Sequence, residues 1–316
     1  MRYNPIGQTG LSVSELALGA ASLGAVYHAV SQTEADDAVA SALEGGVNYI
    51  DVAPYYGLTR AETVLGIALK DTPRDAYVLS SKIGRYGDKD WDFSRDATFR
   101  SFDESCARLK IETIDILQCH DIEHGDYSQL VDEAIPALRD LKSQGAIKAI
   151  GITGYDLALL EKVAVEQQVD TVMAYCTYTL QDQRLGAVAK RLKDKGIAVF
   201  NASPLGMGLL TRKGPPDWHP GHESVHAAAA EAAQLCEAQG ADISQLALQF
   251  ALQTAKDHGI TSTVIGASRA KHMRGNIAAV TQSPDSALLA KVEALLAPVR
   301  DKGWDVLPGN GGKAGK

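Results

Sequence analysis

The sequence predicts an α/β fold, a (β/α)8 TIM barrel with an N-terminal β-hairpin and two extra helices. Three observations lead there. Short, nearly continuous apolar runs alternate with amphipathic stretches along almost the whole chain, the pattern of a parallel sheet covered by helices. The alternation occurs eight times. No composition break or linker divides the 316 residues, so one domain spanning 1–316 is expected. Its tail, from about 306, is rich in Gly and Lys, lacks apolar periodicity and reads as mobile. An open doubly wound sheet is the alternative architecture.

In chain order, Tyr3 to Val13 carries Gly7 and Thr9-Gly10 between short apolar pieces, which predicts the hairpin. Leu16–Gly19 is expected as the first barrel strand. Thr33 is the expected cap of the next helix, with Asp36 in its first turn and Val39, Ala42 and Leu43 at helical spacing; Gly45-Gly46 ends it. Asn48–Ala53 then predicts a strand and Arg60 to Lys70 a helix. Tyr77–Ile83 is followed by a helix capped by Ser94 and ending near Leu109. Thr113–His120 precedes a helix over Tyr127–Ser143, and Ile147–Thr153 one over Asp156 to Glu166. Thr171–Tyr175 leads to Gln183–Lys195, and Ile197–Ala202 leads through a long loop to Val225–Ala238. Thr263–Ile265 leads to Arg269–Val280. Ile243–Lys256 and Ala287–Pro298 are the expected extra helices.

Composition excludes several classes of function. Hydrophobic residues at 45% and charged residues at 22% suit a globular chain with one large core. A net charge of −8, from 31 Lys and Arg against 39 Asp and Glu, comes without a clustered basic run and argues against a nucleic-acid partner. No stretch approaches the roughly 18 apolar residues of a membrane span. The first residues, MRYNPIGQTG, lack the apolar core of a secretory signal, so a cytoplasmic location is expected. The cysteines, Cys106, Cys119, Cys176 and Cys236, are at least 13 residues apart. That spacing excludes C-x-x-C chemistry and predicts free thiols, with Cys119 and Cys176 as core packing.

Two histidine pairs imitate zinc signatures. His222-Glu223-Ser224-Val225-His226 matches H-E-x-x-H, but it follows Pro220-Gly221 and opens a helix where a zinc motif lies within one. His120-Asp121-Ile122-Glu123-His124 matches H-x-x-E-H but straddles a strand end and a loop. No metal is expected. Dinucleotide fingerprints are also incomplete: Ala21 replaces the middle glycine of Gly19–Gly24, and Gly206-Met207-Gly208 meets Thr211 at the third position.

Catalytic groups of an α/β barrel gather at the C-terminal ends of its strands. Asp51 ends the second predicted strand, with Tyr55 and Tyr56 in the following loop; Lys82 ends the third and His120 the fourth. Taken singly, these read as a turn cap, a surface aromatic, a solvated strand end and a structural histidine. Together they compose a proton-transfer device. A phenol has an ordinary pKa of about 10, which a neighbouring ammonium lowers. A carboxylate fixes that ammonium, and an imidazole orients a substrate oxygen or shares the proton.

These four residues, in the runs DVAPYYG, LSSKIG and DILQCHD, resemble the tetrad of the aldo-keto reductase superfamily. The likeness covers about residues 1–285 and includes GITGY at 151–155, SPLGMGLLT at 203–211 and VIGASRAKHMRGNIAAV at 264–280. It implies an eight-stranded barrel that uses NAD(P) without a Rossmann domain, with Asp51, Tyr56, Lys82 and His120 catalytic. The segments CHDIEHGDYSQLVDEAIPALRDLKSQG and NASPLGMGLLTRKGPPDWHP resemble those of the L-galactose dehydrogenases and the L-fucose, or D-threo-aldose, 1-dehydrogenases. They imply oxidation of a small sugar of the L-galactose, L-fucose or D-arabinose type at C1 to the aldonolactone, with Tyr56 as general acid and base.

The same resemblance puts the cofactor pyrophosphate near Ser203, Leu205 and Gly206, and the adenosine near Gly266, Ser268, Arg269, His272 and Asn276. Thr153 and Tyr175 stand where relatives have Ser-Asn and Gln against the nicotinamide, and Gly275 where relatives often have Glu. Arg269 with His272 suits a 2′-phosphate, whereas the L-galactose enzymes commonly use NAD, so both cofactors stay open. Trp91, Phe93 and Trp218 lie in long loops, where an aromatic either covers a sugar face or anchors the loop by burial. Asp121 and His124 suit sugar hydroxyls; Trp304 either does the same or pins the tail. Two alternatives stand beside the aldose reading. One is a reductase of another aldehyde or alcohol, such as a pyridoxal 4-dehydrogenase; the other is a nucleotide-sensing subunit like the potassium-channel β-subunits.

Overall fold

Strands β1 (Tyr3–Pro5) and β2 (Ser12–Ser14) pair antiparallel, with Tyr3 opposite Ser14, in a computed structural model that describes residues 1–26 and 28–305. The expected mobile tail lies outside the described residues. Eight further strands follow: β3 (Leu16–Gly19), β4 (Tyr49–Asp51), β5 (Val78–Ile83), β6 (Ile114–Cys119), β7 (Ile147–Gly154), β8 (Thr171–Tyr175), β9 (Ala198–Ala202) and β10 (Ile260–Gly266). They close into a parallel barrel in chain order, β10 pairing with both β9 and β3. The hairpin is the floor of this barrel. Ile6, Leu11 and Val13 pack against Ala17, Tyr49, Met173, Phe200 and Val264, which leaves the C-terminal ends of the strands as the mouth.

Helices follow the strands as the repeat predicts, and local chemistry sets their ends. Gln32–Glu44 starts two residues earlier than a Thr33 cap would allow. Ser31 is the cap, its side chain accepting from the Glu34 amide while the Glu34 carboxylate accepts from the Ser31 amide. That reciprocal box satisfies two orphan donors, and Thr33 at N2 satisfies neither. Arg95–Leu109 is capped by Ser94 and Leu157–Gln167 by Asp156. Between Tyr127 and Ser143 the helix passes through a π-helical stretch, Leu130–Ala134, that ends two residues before Pro136. Proline has no amide to donate and its ring crowds the preceding turn, so the helix widens there.

The extra helices Ile243–Ala255 and Ser286–Leu296 pack with Glu223–Ala238 around Cys236, Phe250 and Val292. Their shared core takes in Leu209 and Leu210, and so it seats the long loop that leaves β9 at the mouth. The cysteines are all free and buried. Among the described residues, no helix is long and apolar enough to cross a membrane.

Candidate active site

Side chains from three neighbouring strand ends converge at the mouth. β4 ends at Asp51, whose Oδ2 lies 2.7 Å from Lys82 Nζ on β5. Asp51 Oδ1 accepts from Ser80 Oγ at 2.6 Å and from Gln118 Nε2 at 3.1 Å. Lys82 also donates to the Val52 carbonyl at 2.9 Å, leaving one of its three N–H bonds for the phenol side. Its Nζ is 4.7 Å from the centre of the Tyr56 ring. His120, just past β6, meets the Tyr56 ring edge-on at 5.6 Å between centroids.

The loop that delivers Tyr56 is pressed against the turn Ala20–Gly24. A Cβ on Gly57, whose φ is +60°, would stand 2.0 Å from the Gly24 carbonyl oxygen, and one on Gly24 would stand 2.8 Å from that of Tyr56. Only glycine permits this approach. Leu58 and Thr59 are also left-handed, at φ 49° and 76°, so the turn that presents the phenol carries backbone strain.

Burial dominates the electrostatics. It pushes the Tyr56 phenol up to about 12, with the Lys82 charge pulling the other way and Asp51 adding to the rise. Lys82 alone was expected to bring the phenol below its ordinary value; loss of water outweighs it, although Tyr56 stays partly open to the mouth. Burial works against the Lys82 charge too, but Asp51 and then Tyr56 outweigh it, and Lys82 is held above the ordinary lysine value. His120 is driven down to about 3 by burial; Asp121 opposes the fall, and Lys82 and Arg85 add to it. It is therefore a neutral imidazole.

A second cluster flanks the first. Asp121 Oδ2 pairs with Arg85 at 2.6 Å, and the Asp121 amide donates to Thr153 Oγ1 at 2.9 Å. Thr153 is thus committed to Asp121. The Arg85 guanidinium lies 3.7 Å from the centre of the Tyr55 ring and 4.8 Å from that of Trp91, and Trp91 leans on His124 at 5.2 Å. Buried Arg85 Nε, Trp91 Nε1, His120 Nδ1 and His124 Nδ1 have no hydrogen-bond partner among the described residues. Native interiors rarely leave such atoms unpaired without a ligand or water to meet them. Phe93 belongs to the loop core instead: it is fully buried, and a Cβ on Gly84 or Gly125 would lie 1.9 or 2.2 Å from its ring. Trp218 is partly buried in the long loop, and among the described residues no aromatic or cation–π contact joins it to this cluster. Trp304 stacks on Tyr155 at 4.2 Å, and Tyr155 leans on Tyr175 at 5.5 Å, making one wall of the mouth.

The remaining strand ends suit a dinucleotide. After β9, Ser203, Gly206, Met207 and Gly208 are all left-handed, a backbone form that turns amides toward a concavity. Gly266 ends β10 opposite Gly19. The helix Ala270–Thr281 then begins with no side-chain cap, so its first amides and its dipole are available to an anion. Ser268 Oγ meets His28 at 2.9 Å, and Asn276 is buried. The expected Arg269–His272 clamp is altered. Arg269 Nε is bonded to Glu34 at 3.0 Å, and His272 is pushed below its ordinary value by burial and then by Arg269.

The zinc-like motifs separate on folding. His222 caps Glu223–Ala238, its Nδ1 accepting from the Ser224 amide, whereas His226 bonds to His219. Glu123 turns away from His120 and accepts from the Tyr155 amide at 2.7 Å. Sequence reasoning missed Arg85, Glu123, Ser80 and Gln118. The last two carried a signal: each stands two residues before a tetrad member, Lys82 or His120, and so on the same face of its strand.

A model of the aldo/keto reductase family matches residues 15–297. The chain is 41% identical to L-galactose dehydrogenase of Arabidopsis thaliana over 95% of each chain. It is 34% identical to D-arabinose 1-dehydrogenase of Saccharomyces cerevisiae over 76% of each. Among solved structures, an aldo-keto reductase from Bacillus halodurans in its holo form superposes with a TM-score of 0.75 at 25% identity, covering 96% of this chain and 98% of that one.

Proposed function

The chain belongs to the aldo/keto reductase family, and from that premise we propose that it oxidises an aldose at C1 to the aldonolactone. Tyr56 Oη takes the C1 hydroxyl proton as the carbonyl forms. The Lys82 ammonium stabilises the phenolate, and Asp51 keeps Lys82 charged and aimed. Neutral His120 hydrogen-bonds the same substrate oxygen without competing for its proton. When bound, a nicotinamide dinucleotide supplies the two-electron acceptor for the C1–H bond.

One observation carries the sugar reading: the unpartnered polar atoms of Arg85, Trp91, His120 and His124 are clustered at one side of the phenol. A polyhydroxylated ring presents hydroxyls to such atoms and an apolar face to Trp91. Asp121, held by Arg85, completes this cluster, and Trp218 approaches the sugar separately, from the long loop after β9. The name of the Arabidopsis relative points to L-galactose.

For the cofactor, Ser203, Leu205 and Gly206 hold the pyrophosphate; Gly266, Ser268, Arg269, His272 and Asn276 hold the adenosine; Thr153 and Tyr175 line the nicotinamide end. Glu34 favours NAD over NADP. A carboxylate accepts from a ribose 2′-hydroxyl and repels a 2′-phosphate, and here it also occupies Arg269. The test is cofactor reduction with L-galactose, L-fucose, D-arabinose and pyridoxal, each with NAD and with NADP. Turnover of an aldose with NAD supports the proposal; turnover of pyridoxal alone contradicts it.

A further inference from the structure

A histidine pair outside the proton-transfer group holds the loop after β9. His219 is buried, with Nε2 3.0 Å from the Gly206 carbonyl oxygen. Its Nδ1 is 3.0 Å from the Gly221 amide nitrogen and 2.9 Å from His226 Nε2. These partners set the tautomer. A carbonyl only accepts, so Nε2 carries the hydrogen and donates. A backbone amide only donates, so Nδ1 is bare and accepts from Gly221 and from His226 Nε2–H. The three bonds are satisfied together only when His219 is neutral. A proton on Nδ1 would face the Gly221 N–H, which cannot accept it, and that bond would be lost.

Gly206 is left-handed, φ 59°, as is Ser203 in the same turn, which also holds Leu205. Its amide closes on the Ser203 carbonyl while its own carbonyl is taken by His219. We propose that His219 is a positioning residue, clamping this turn in the shape that receives the dinucleotide pyrophosphate, and that its protonation releases the turn and weakens cofactor binding in acid. The inference rests on assigning that turn to the cofactor.

The surroundings suit such a device. His226 faces His219 from the helix Glu223–Ala238, the Gly206 carbonyl from the turn, and the Trp304 indole edge from the C-terminal segment at 5.6 Å between centroids. Among the described residues, His226 is the one titratable side chain acting on it. Burial lowers the His219 value, the Gly206 carbonyl raises it and His226 lowers it, for a net fall. The clamp is therefore set at neutral pH and opens as pH falls. The role also accounts for the second histidine of the H-E-x-x-H match.

Equilibrium titration of the full chain with NAD and NADP, read by protein fluorescence from about pH 5 to about pH 8, tests this. His219→Ala should weaken neutral-pH binding about tenfold and speed hydrogen exchange of the 206–211 amides in the cofactor-free protein. His219→Gln, whose amide can donate to Gly206 but does not titrate, should bind within about threefold of the parent at neutral pH and lose the acid weakening. Parent-like affinity and exchange in His219→Ala, or a parent-like acid response in His219→Gln, overturns the clamp while leaving the cofactor site intact. Failure of the parent chain to bind either dinucleotide overturns both.

Discussion

The Lys82 ammonium faces the Asp51 carboxylate at 2.7 Å, with the two side chains only 1% and 3% exposed. At that depth either charge alone would be neutralised or expelled. The pair persists because Ser80 and Gln118 donate to Asp51 Oδ1 and the Val52 carbonyl takes a second Lys82 N–H. Its product is a fixed positive charge beside the Tyr56 ring.

Removing half of the pair should cost more than removing all of it. Lys82→Met leaves Asp51 buried and unpaired, and urea unfolding should register a loss of about 3–5 kcal/mol. The double variant Lys82→Met/Asp51→Leu should recover much of that loss and remain inactive. An active double variant would show that the pair serves only the fold.

Tyr56→Phe should reduce turnover by about a thousandfold or more while leaving the cofactor dissociation constant within about twofold. The phenol, pushed up to about 12 by burial against the pull of Lys82, holds its proton at neutral pH. Oxidation needs the phenolate, so its rate should climb with pH through the alkaline range, and reduction should decline there. An oxidation rate indifferent to pH would remove Tyr56 as the proton acceptor.

Glu34 should act as a cofactor filter. Hydrogen bonds from the Ser31 amide and side chain, and then from Arg269, hold its carboxyl below the ordinary range, so it stays charged in any workable assay. Glu34→Gln frees Arg269 for a phosphate, and the ratio of NADP to NAD affinity should rise roughly tenfold. An unchanged ratio would place the adenosine elsewhere.

Glu123 should make stability depend on pH. Burial, then Asp121, raises its carboxyl from 4.5 to about 8. Below the lower value both folded and unfolded chains are protonated, and the group is neutral to stability. Between the two, the unfolded chain sheds the proton that the folded chain keeps, so this contribution falls as pH rises and levels off above about 8. Glu123→Gln should flatten that fall and leave acid stability nearly unchanged; a parallel loss in the variant would point to another group.

The barrel was legible because burial writes a period into each element. Leu16–Gly19 and Thr171–Tyr175 fold over the spans that their apolar runs predict, and Ser94 caps its helix as expected. The convergence of Asp51, Tyr56, Lys82 and His120 was legible because strand ends of a barrel share one mouth. Loop-borne contacts were not. Phe93 resembles a sugar platform until Gly84 and Gly125 close on its ring. Arg85 has no sequence signal, because its pairing with Asp121 and its stacking on Tyr55 and Trp91 depend on three separate loop paths. Glu34 was likewise invisible as the partner of Arg269, 235 positions away.

The most direct measurement of the central claim uses L-galactose deuterated at C1 with NAD and the parent chain. Mass spectrometry should find the deuterium in the reduced cofactor and the sugar as its lactone, in equal amounts, with slower turnover than for the unlabelled sugar. Deuterium retained in the sugar product, or no reduction of cofactor by any aldose, would contradict oxidation at C1.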